Sequence, residues 1–375
     1  MRVLFIAHEA TRTGASIALL QEINYICKYH KEIVPEVYFL RGGELLNEYR
    51  ELCPIYEGWI ANPRLERILH VMRLAEWYLY RQLLKRKYDC IYANSIVSFG
   101  KAVQLKDRLG GVRLIGHVHE AECLMKQYFA PSTPLNCFDS LITVSQLAAD
   151  NLIDNYAVPS YKILIQHPVS SWVDLLLKGN VSLNIHDYKE DAKLIGCFCK
   201  EEWAKATDVV PLFLHRFFEK YPKQNCKLVI IGKMPEKYVY LLDFVLRKMK
   251  LKDKVIILGG IINPLDYIAQ LDILLLLSRE ESYGLVAQEA AILEKPIIGF
   301  YKATGAAEWI EKGAGVLVPY MDLGQMSDAV YMLLSDETKR LELGRQAKII
   351  VKEMYENDCK MESVISALLN KTSNE

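Results

Sequence analysis

The sequence predicts an α/β protein built from two Rossmann-like, doubly wound domains facing a cleft. Three observations predict it. At 375 residues the chain is longer than one hydrophobic core usually fills, so two domains are expected. Short apolar runs alternate with longer amphipathic stretches along almost its whole length, the pattern of parallel strands covered by helices on both faces. A polar stretch over Ser170–Ala192, with Gly179, Asn180 and Asn184, interrupts that rhythm, which restarts directly after it.

The expected strands of the first half are Val3–Ala7, Glu36–Leu40, Cys90–Ala93, Val112–Val118, Leu141–Val144 and Ile163–Gln166. Those of the second are Leu194–Phe198, Lys227–Ile231, Lys254–Leu258, Ile273–Leu277, Ile297–Phe300 and Gly315–Val318. Helical stretches such as Ala15–Tyr29, Arg64–Arg86, Asp208–Lys220 and Lys237–Met249 lie between them. The expected division is an N-terminal domain over 1–170, a C-terminal domain over 171–355, and a terminal helix within 356–375 that crosses back to the first domain. Open parallel sheets bind ligands beyond the carboxyl ends of their strands, so chemistry is sought there.

Composition narrows the class. Half the residues are apolar and a quarter charged, as in ordinary globular proteins. A formal net charge of zero argues against a nucleic-acid partner held by bulk electrostatics. The nine cysteines follow no regular framework, which suggests reduced thiols in a cytoplasmic protein. No apolar run approaches the roughly 20 residues needed to cross a bilayer.

The most informative segment runs from Ser278 to Ala291. A buried strand ends at Ser278 and a helix is expected to begin near Gly284, whose missing side chain lets a ligand approach the backbone. The first amides of a helix have no intrahelical acceptor and favour an anion such as a pyrophosphate. Glu281 precedes that helix and Glu289 projects from its second turn. One carboxylate can then reach the sugar of a nucleotide sugar and the other its ribose. On spacing alone, two solvated surface glutamates would look the same.

Here the sequence resembles the group 1, or family 4, retaining glycosyltransferases of the GT-B fold. Their pattern Glu-x-Phe-Gly-Leu-x-x-x-Glu-Ala is matched by Glu281-Ser282-Tyr283-Gly284-Leu285 and Glu289-Ala290. The family's following strand, Gly-Gly-x-x-Glu and Gly-x-Leu-Val-Pro resemble Ile297–Phe300, Thr304-Gly305-Ala306-Ala307-Glu308 and Gly315–Pro319. The resemblance implies that Glu281 contacts the donor sugar, Glu289 the ribose, and the amides of Tyr283, Gly284 and Leu285 the pyrophosphate. It also aligns Lys205, in Trp203-Ala204-Lys205-Ala206-Thr207-Asp208, with a lysine that neutralises the leaving diphosphate. The sequence departs twice: no arginine aligns, leaving Lys200 as a substitute without a planar fork, and Ala206 replaces a glycine.

In the first half the family's Gly-Gly-Ala loop is reduced to Thr13-Gly14-Ala15, with Arg12 beside it as a phosphate or acceptor contact. Val112–Val118 leads into His119-Glu120, where the family resembles hydrophobic-x-His-Asp, and His119 is implied to line the donor-sugar side. Alternation puts His117 on the same face. No third ligand accompanies the two histidines at metal spacing. Residues 64–87 combine Trp77, Tyr78 and Tyr80 with Lys85-Arg86-Lys87, so peripheral contact with an anionic inner membrane surface is an expectation, against a simple core-packing helix.

The expected function is transfer of a sugar from a nucleotide-diphosphate sugar to a hydroxyl of a glycan or glycolipid, with retention. The nucleotide sugar is a co-substrate; no cofactor or metal is expected, since no Asp-x-Asp occurs in the chain. Rival readings are a nucleotide-sugar epimerase or a phosphorylase of the same architecture, and a non-catalytic nucleotide-sugar binding protein.

Overall fold

The computed structural model describes residues 1–57, 80–129, 133–179, 191–261 and 263–370. The chain forms two compact units, Met1–His167 with Lys360–Glu375, and Pro168–Cys359. Most of the helix expected over 64–86, and Asn180 and Asn184 of the expected linker, lie outside the described residues.

Among the described residues, the first unit holds seven strands: β1 Arg2–Ala7, β2 Val34–Phe39, β3 Ile55–Glu57, β4 Cys90–Asn94, β5 Arg113–Val118, β6 Ser140–Thr143 and β7 Ile163–Ile165. They pair in parallel in the order β3-β2-β1-β4-β5-β6-β7. Side chains of β1 alternate between two cores: Val3, Phe5 and Ala7 join one, Leu4 and Ile6 the other. This is why strands of this kind read as unbroken apolar runs rather than alternating ones. Helix Glu362–Leu369 packs over β6 and β7, with Val364 and Leu368 fully buried in the same core that holds Val3 and Phe5. Burying two such side chains contributes on the order of 3–6 kcal/mol. The edge strand β3 is not expected from the sequence; two half-buried residues and an exposed one after Pro54 leave too short a period to read.

The second unit holds β8 Lys193–Phe198, β9 Cys226–Ile231, β10 Val255–Leu258, β11 Ile273–Leu276, β12 Ile297–Phe300 and β13 Gly315–Val318. Their parallel order is β10-β9-β8-β11-β12-β13. In both sheets the order reverses at one place, between β1 and β4 in the first and between β8 and β11 in the second. Crossovers leave opposite faces at such a reversal, so the loops beyond it part and form a crevice for ligands. Candidate chemistry is therefore read at these two places, each within its own unit.

Candidate active site

In the second unit the loops after β8 and β11 meet at the reversal. The amide of Arg279 donates to the Ala204 carbonyl at 2.8 Å and the amide of Glu280 to the same oxygen at 3.4 Å, tying the two loops together. Lys205 Nζ donates to Glu281 Oε1 at 2.6 Å, and Ser278 Oγ to Glu281 Oε2 at 3.2 Å. Burial by itself would lower the Lys205 pKa. Attraction to Glu281 and the hydrogen bond to it, with smaller contributions from Glu202 and Cys199, outweigh burial and raise the pKa above its ordinary value. The ammonium stays charged where solvent is scarce.

The backbone of Glu281 is braced from the next strand's loop. Its amide donates to the Ala303 carbonyl at 2.7 Å, and its carbonyl accepts from the Gly305 amide at 3.1 Å, an isolated parallel bridge between Glu281 and Thr304. Thr304 Oγ1 donates to the Tyr283 carbonyl at 3.3 Å. Gly284 follows with φ of +87° and caps helix Leu285–Ile292. A Cβ there would lie 3.1 Å from Thr304 Oγ1, so both dihedral and space favour glycine. The helix amides after Gly284 sit just beyond Glu281. Tyr283 offers its backbone only, since its side chain is buried and its hydroxyl accepts from Gln288 Nε2 at 3.5 Å.

Glu289 is buried on the same helix and its Oε1 accepts from Ser170 Oγ at 2.7 Å. Gln288 accepts the Ser170 amide at 2.9 Å and donates to the Pro168 carbonyl at 3.1 Å. Burial pushes the Glu289 pKa up to about 7, against the Ser170 bond. Lys200 stands apart, exposed and 3.8 Å from Glu202.

Arg279 was not singled out from the sequence. Its guanidinium makes two bonds to Asp208, at 2.9 and 2.6 Å, and one to the Trp203 carbonyl at 3.0 Å. It also lies 5.3 Å from the Trp203 ring centroid. The bidentate pair holds the Asp208 carboxyl below its ordinary range. Arg279 and Thr304 lie in segments already marked as informative, but their partners come from loops distant in sequence, which spacing does not reveal.

Ala206 has φ of +50° and is fully buried. The aligned glycine is thus explained by backbone conformation, and alanine here carries on the order of 1–2 kcal/mol of left-handed strain.

In the first unit, β1, β4 and β5 end side by side, with Asn94 opposite both Ala7 and His117. The rings of His117 and His119 lie 4.0 Å apart, so the shared face expected from alternation is seen. His119 Nε2 meets Asn94 Oδ1 at 2.7 Å, and His117 Nδ1 meets the Tyr92 hydroxyl at 2.7 Å. Tyr92 and His117 both contact Glu22 of helix Gly14–Tyr29, at 3.1 and 3.2 Å. Burial lowers His117 to a pKa of about 3, lowers His119 well below its ordinary value, and raises Glu22 to about 7. Glu120 accepts from Ser95 Oγ and from the amides of Ile96 and His119. Among the described residues, no group of three or more His, Cys, Asp or Glu is arranged to hold a metal.

Gly14 begins its helix exposed, with open space where a Cβ would stand. Neither packing nor dihedral requires glycine there. Arg12 Nη2 donates to Glu48 Oε1 at 2.7 Å in an exposed pair. Of residues 64–87 only 80–87 are described: Tyr80 and Leu83 are buried, while Arg81, Lys85 and Arg86, with Tyr56 and Gln82, line a cavity of about 410 Å³. Among the described residues, no helix is long and apolar enough to cross a membrane.

Two doubly wound units, one carrying a charged lysine–glutamate pair beside a helix start, define a protein of the GT-B glycosyltransferase fold. The family model for glycosyl transferases group 1 matches residues 207–349, and that for glycosyltransferase family 4 matches residues 34–169. The chain belongs to the group 1, family 4 glycosyltransferases. It is 33% identical over 135 residues to N-acetyl-alpha-D-glucosaminyl L-malate synthase of Bacillus anthracis, a match spanning 36% of this chain and 35% of that protein. Among solved structures, Anabaena Alr3699/HepE in complex with UDP aligns over 99% of this chain and 100% of its own, with a TM-score of 0.75 and 17% identity. A glycosyltransferase from Rickettsia africae aligns over 99% of each chain, with a TM-score of 0.72 and 16% identity.

Proposed function

We propose that this chain transfers a sugar from a nucleotide-diphosphate sugar to a hydroxyl of a glycan or glycolipid, with retention and without a metal. The reading rests on one observation above the others: the Lys205–Glu281 pair, 2.6 Å apart, beside the start of helix Leu285–Ile292 at the second unit's sheet reversal. The anomeric C–O bond to the diphosphate breaks, and a C–O bond to the acceptor forms on the same face. The acceptor proton passes to an oxygen of the departing diphosphate. Lys205 and the helix amides after Gly284 oppose the charge that grows on that leaving group, which is the largest catalytic contribution expected of such a site. Glu281 keeps Lys205 charged and faces the sugar; Glu289 takes the ribose hydroxyls in place of Ser170.

The Anabaena protein was solved with UDP, with UDP and glucose, and with UDP-glucose, so UDP sugars are the first donors to try. Slow hydrolysis of UDP-glucose or UDP-N-acetylglucosamine, followed by NMR with and without chelator, tests the proposal. Loss of turnover in Lys205→Ala, with chelator harmless, is expected. Interconversion of the donor sugar without acceptor would instead indicate an epimerase, and inhibition by chelator would refute metal independence.

The cationic cavity of Arg81, Lys85 and Arg86 supports contact with an anionic membrane surface. Sedimentation with phosphatidylglycerol vesicles and not with phosphatidylcholine vesicles is expected, weakening as salt rises. Equal binding to both would remove that part of the reading.

A further inference from the structure

The first unit's histidines present a chemistry that family membership does not assign. Asn94 ends β4 fully buried, and its amide nitrogen donates to the Ala15 carbonyl at 3.0 Å. That bond fixes which way the amide faces, so the atom 2.7 Å from His119 Nε2 is its oxygen, which can only accept. A proton must therefore sit on Nε2. We propose that Asn94 is a positioning residue that fixes His119 as the Nε2–H tautomer, so that the ring offers an unprotonated Nδ1 as an acceptor for a hydroxyl.

The surroundings keep the ring neutral as well as oriented. His117 packs on it with centroids 4.0 Å apart and planes at 33°, so protonating both rings would set two cations against each other. His117 is itself held by Tyr92 and Glu22. The titratable groups around His119 are His117 from β5, Glu22 from helix Gly14–Tyr29, and His8 just beyond β1. Glu22 alone favours the imidazolium, while burial, His117 and His8 oppose it. Glu120 receives the His119 amide at 3.0 Å and two further donors, so its carboxylate is engaged with backbone and Ser95. A neutral ring of this kind accepts a hydrogen bond from a sugar or acceptor hydroxyl and offers no proton to a phosphate oxygen. This goes beyond the proposed transfer reaction, because the tautomer belongs to the unliganded protein.

Histidine side-chain nitrogen spectra of the full chain, labelled with ¹⁵N at histidine and assigned by His119→Gln, test it. The expected result is a His119 signal with a protonated Nε2 that does not titrate between about pH 5 and 8, the window in which an ordinary histidine changes charge. Asn94→Leu should remove the preference and give mixed tautomers. Asn94→Asp should keep the proton on Nε2 and move the His119 titration upward, because an anion now faces the ring. A proton on Nδ1, ordinary titration in the wild type, or an unchanged tautomer in Asn94→Leu would overturn the proposal. If Asn94→Leu does not fold, an unshifted titration in Asn94→Asp would do so.

Discussion

The two sheet reversals share a topology and differ in charge. At the β1/β4 reversal burial drives the titratable groups toward neutrality: His117 and His119 resist protonation, and Glu22 and Glu120 resist losing their protons. At the β8/β11 reversal, the partner Glu281 outweighs burial and keeps Lys205 charged, and the Arg279–Asp208 pair holds Asp208 below its ordinary range. The difference teaches that fold alone decides where a site sits, while partner placement decides what it can do. A site that opposes growing phosphate charge needs a held cation, whereas one that meets neutral hydroxyls does not.

The comparison can be broken most strongly at the charged site. Lys205→Ala and Glu281→Gln should each reduce turnover on the order of 10²–10³-fold, the scale of losing an electrostatic contact to the transition state. His119→Ala should cost about tenfold, the worth of a neutral hydrogen bond. Steady-state rates that reverse this ranking would refute the division of labour.

The next effect concerns stability. The first unit draws part of its core from helix Glu362–Leu369, so Leu368→Ala should destabilise it by about 2–5 kcal/mol and lower its melting transition.

Glu22 and Glu289 sharpen the comparison through pH. Burial raises each to about 7 from 4.5, so the folded protein holds a proton that the unfolded chain has already lost. That stabilisation is fully present below about pH 4.5 and fades as pH rises through 7. Each Glu→Gln replacement should therefore stabilise the protein at pH 8, by up to about 3 kcal/mol, and much less at pH 5. Denaturant unfolding at the two pH values checks it.

The smallest effects separate two glycines at strand-to-helix turns, one in each unit. Gly284→Ala should cost about 1–2 kcal/mol through its positive φ, whereas Gly14→Ala should stay within about 0.5 kcal/mol. An activity loss in Gly14→Ala without a stability loss would point to a ligand approaching that loop.

Much of this was legible in the sequence. Unbroken apolar runs such as Ile273–Leu277 marked buried parallel strands, and the strand-to-helix junction at Gly284 lies where the residues indicated. What stayed hidden depends on contacts between distant segments: Ser170 against Glu289 across 119 positions, Arg279 against Asp208 across 71. Lys200, offered by the sequence as a substitute for the family's missing arginine, lies in an exposed pair with Glu202. The reason for the family's glycine at position 206 became clear only once its dihedral was known.

Titration calorimetry with nucleosides and their diphosphates tests the central claim most directly. UDP, GDP and ADP are each compared with the parent nucleoside, in the wild type and in Lys205→Ala. The account predicts that at least one diphosphate binds more tightly than its nucleoside, and that Lys205→Ala weakens it about 10- to 100-fold, the worth of a charge-assisted bond, while sparing the nucleoside. Equal loss for nucleoside and diphosphate, or no loss for either, would contradict a diphosphate site at the second unit's reversal.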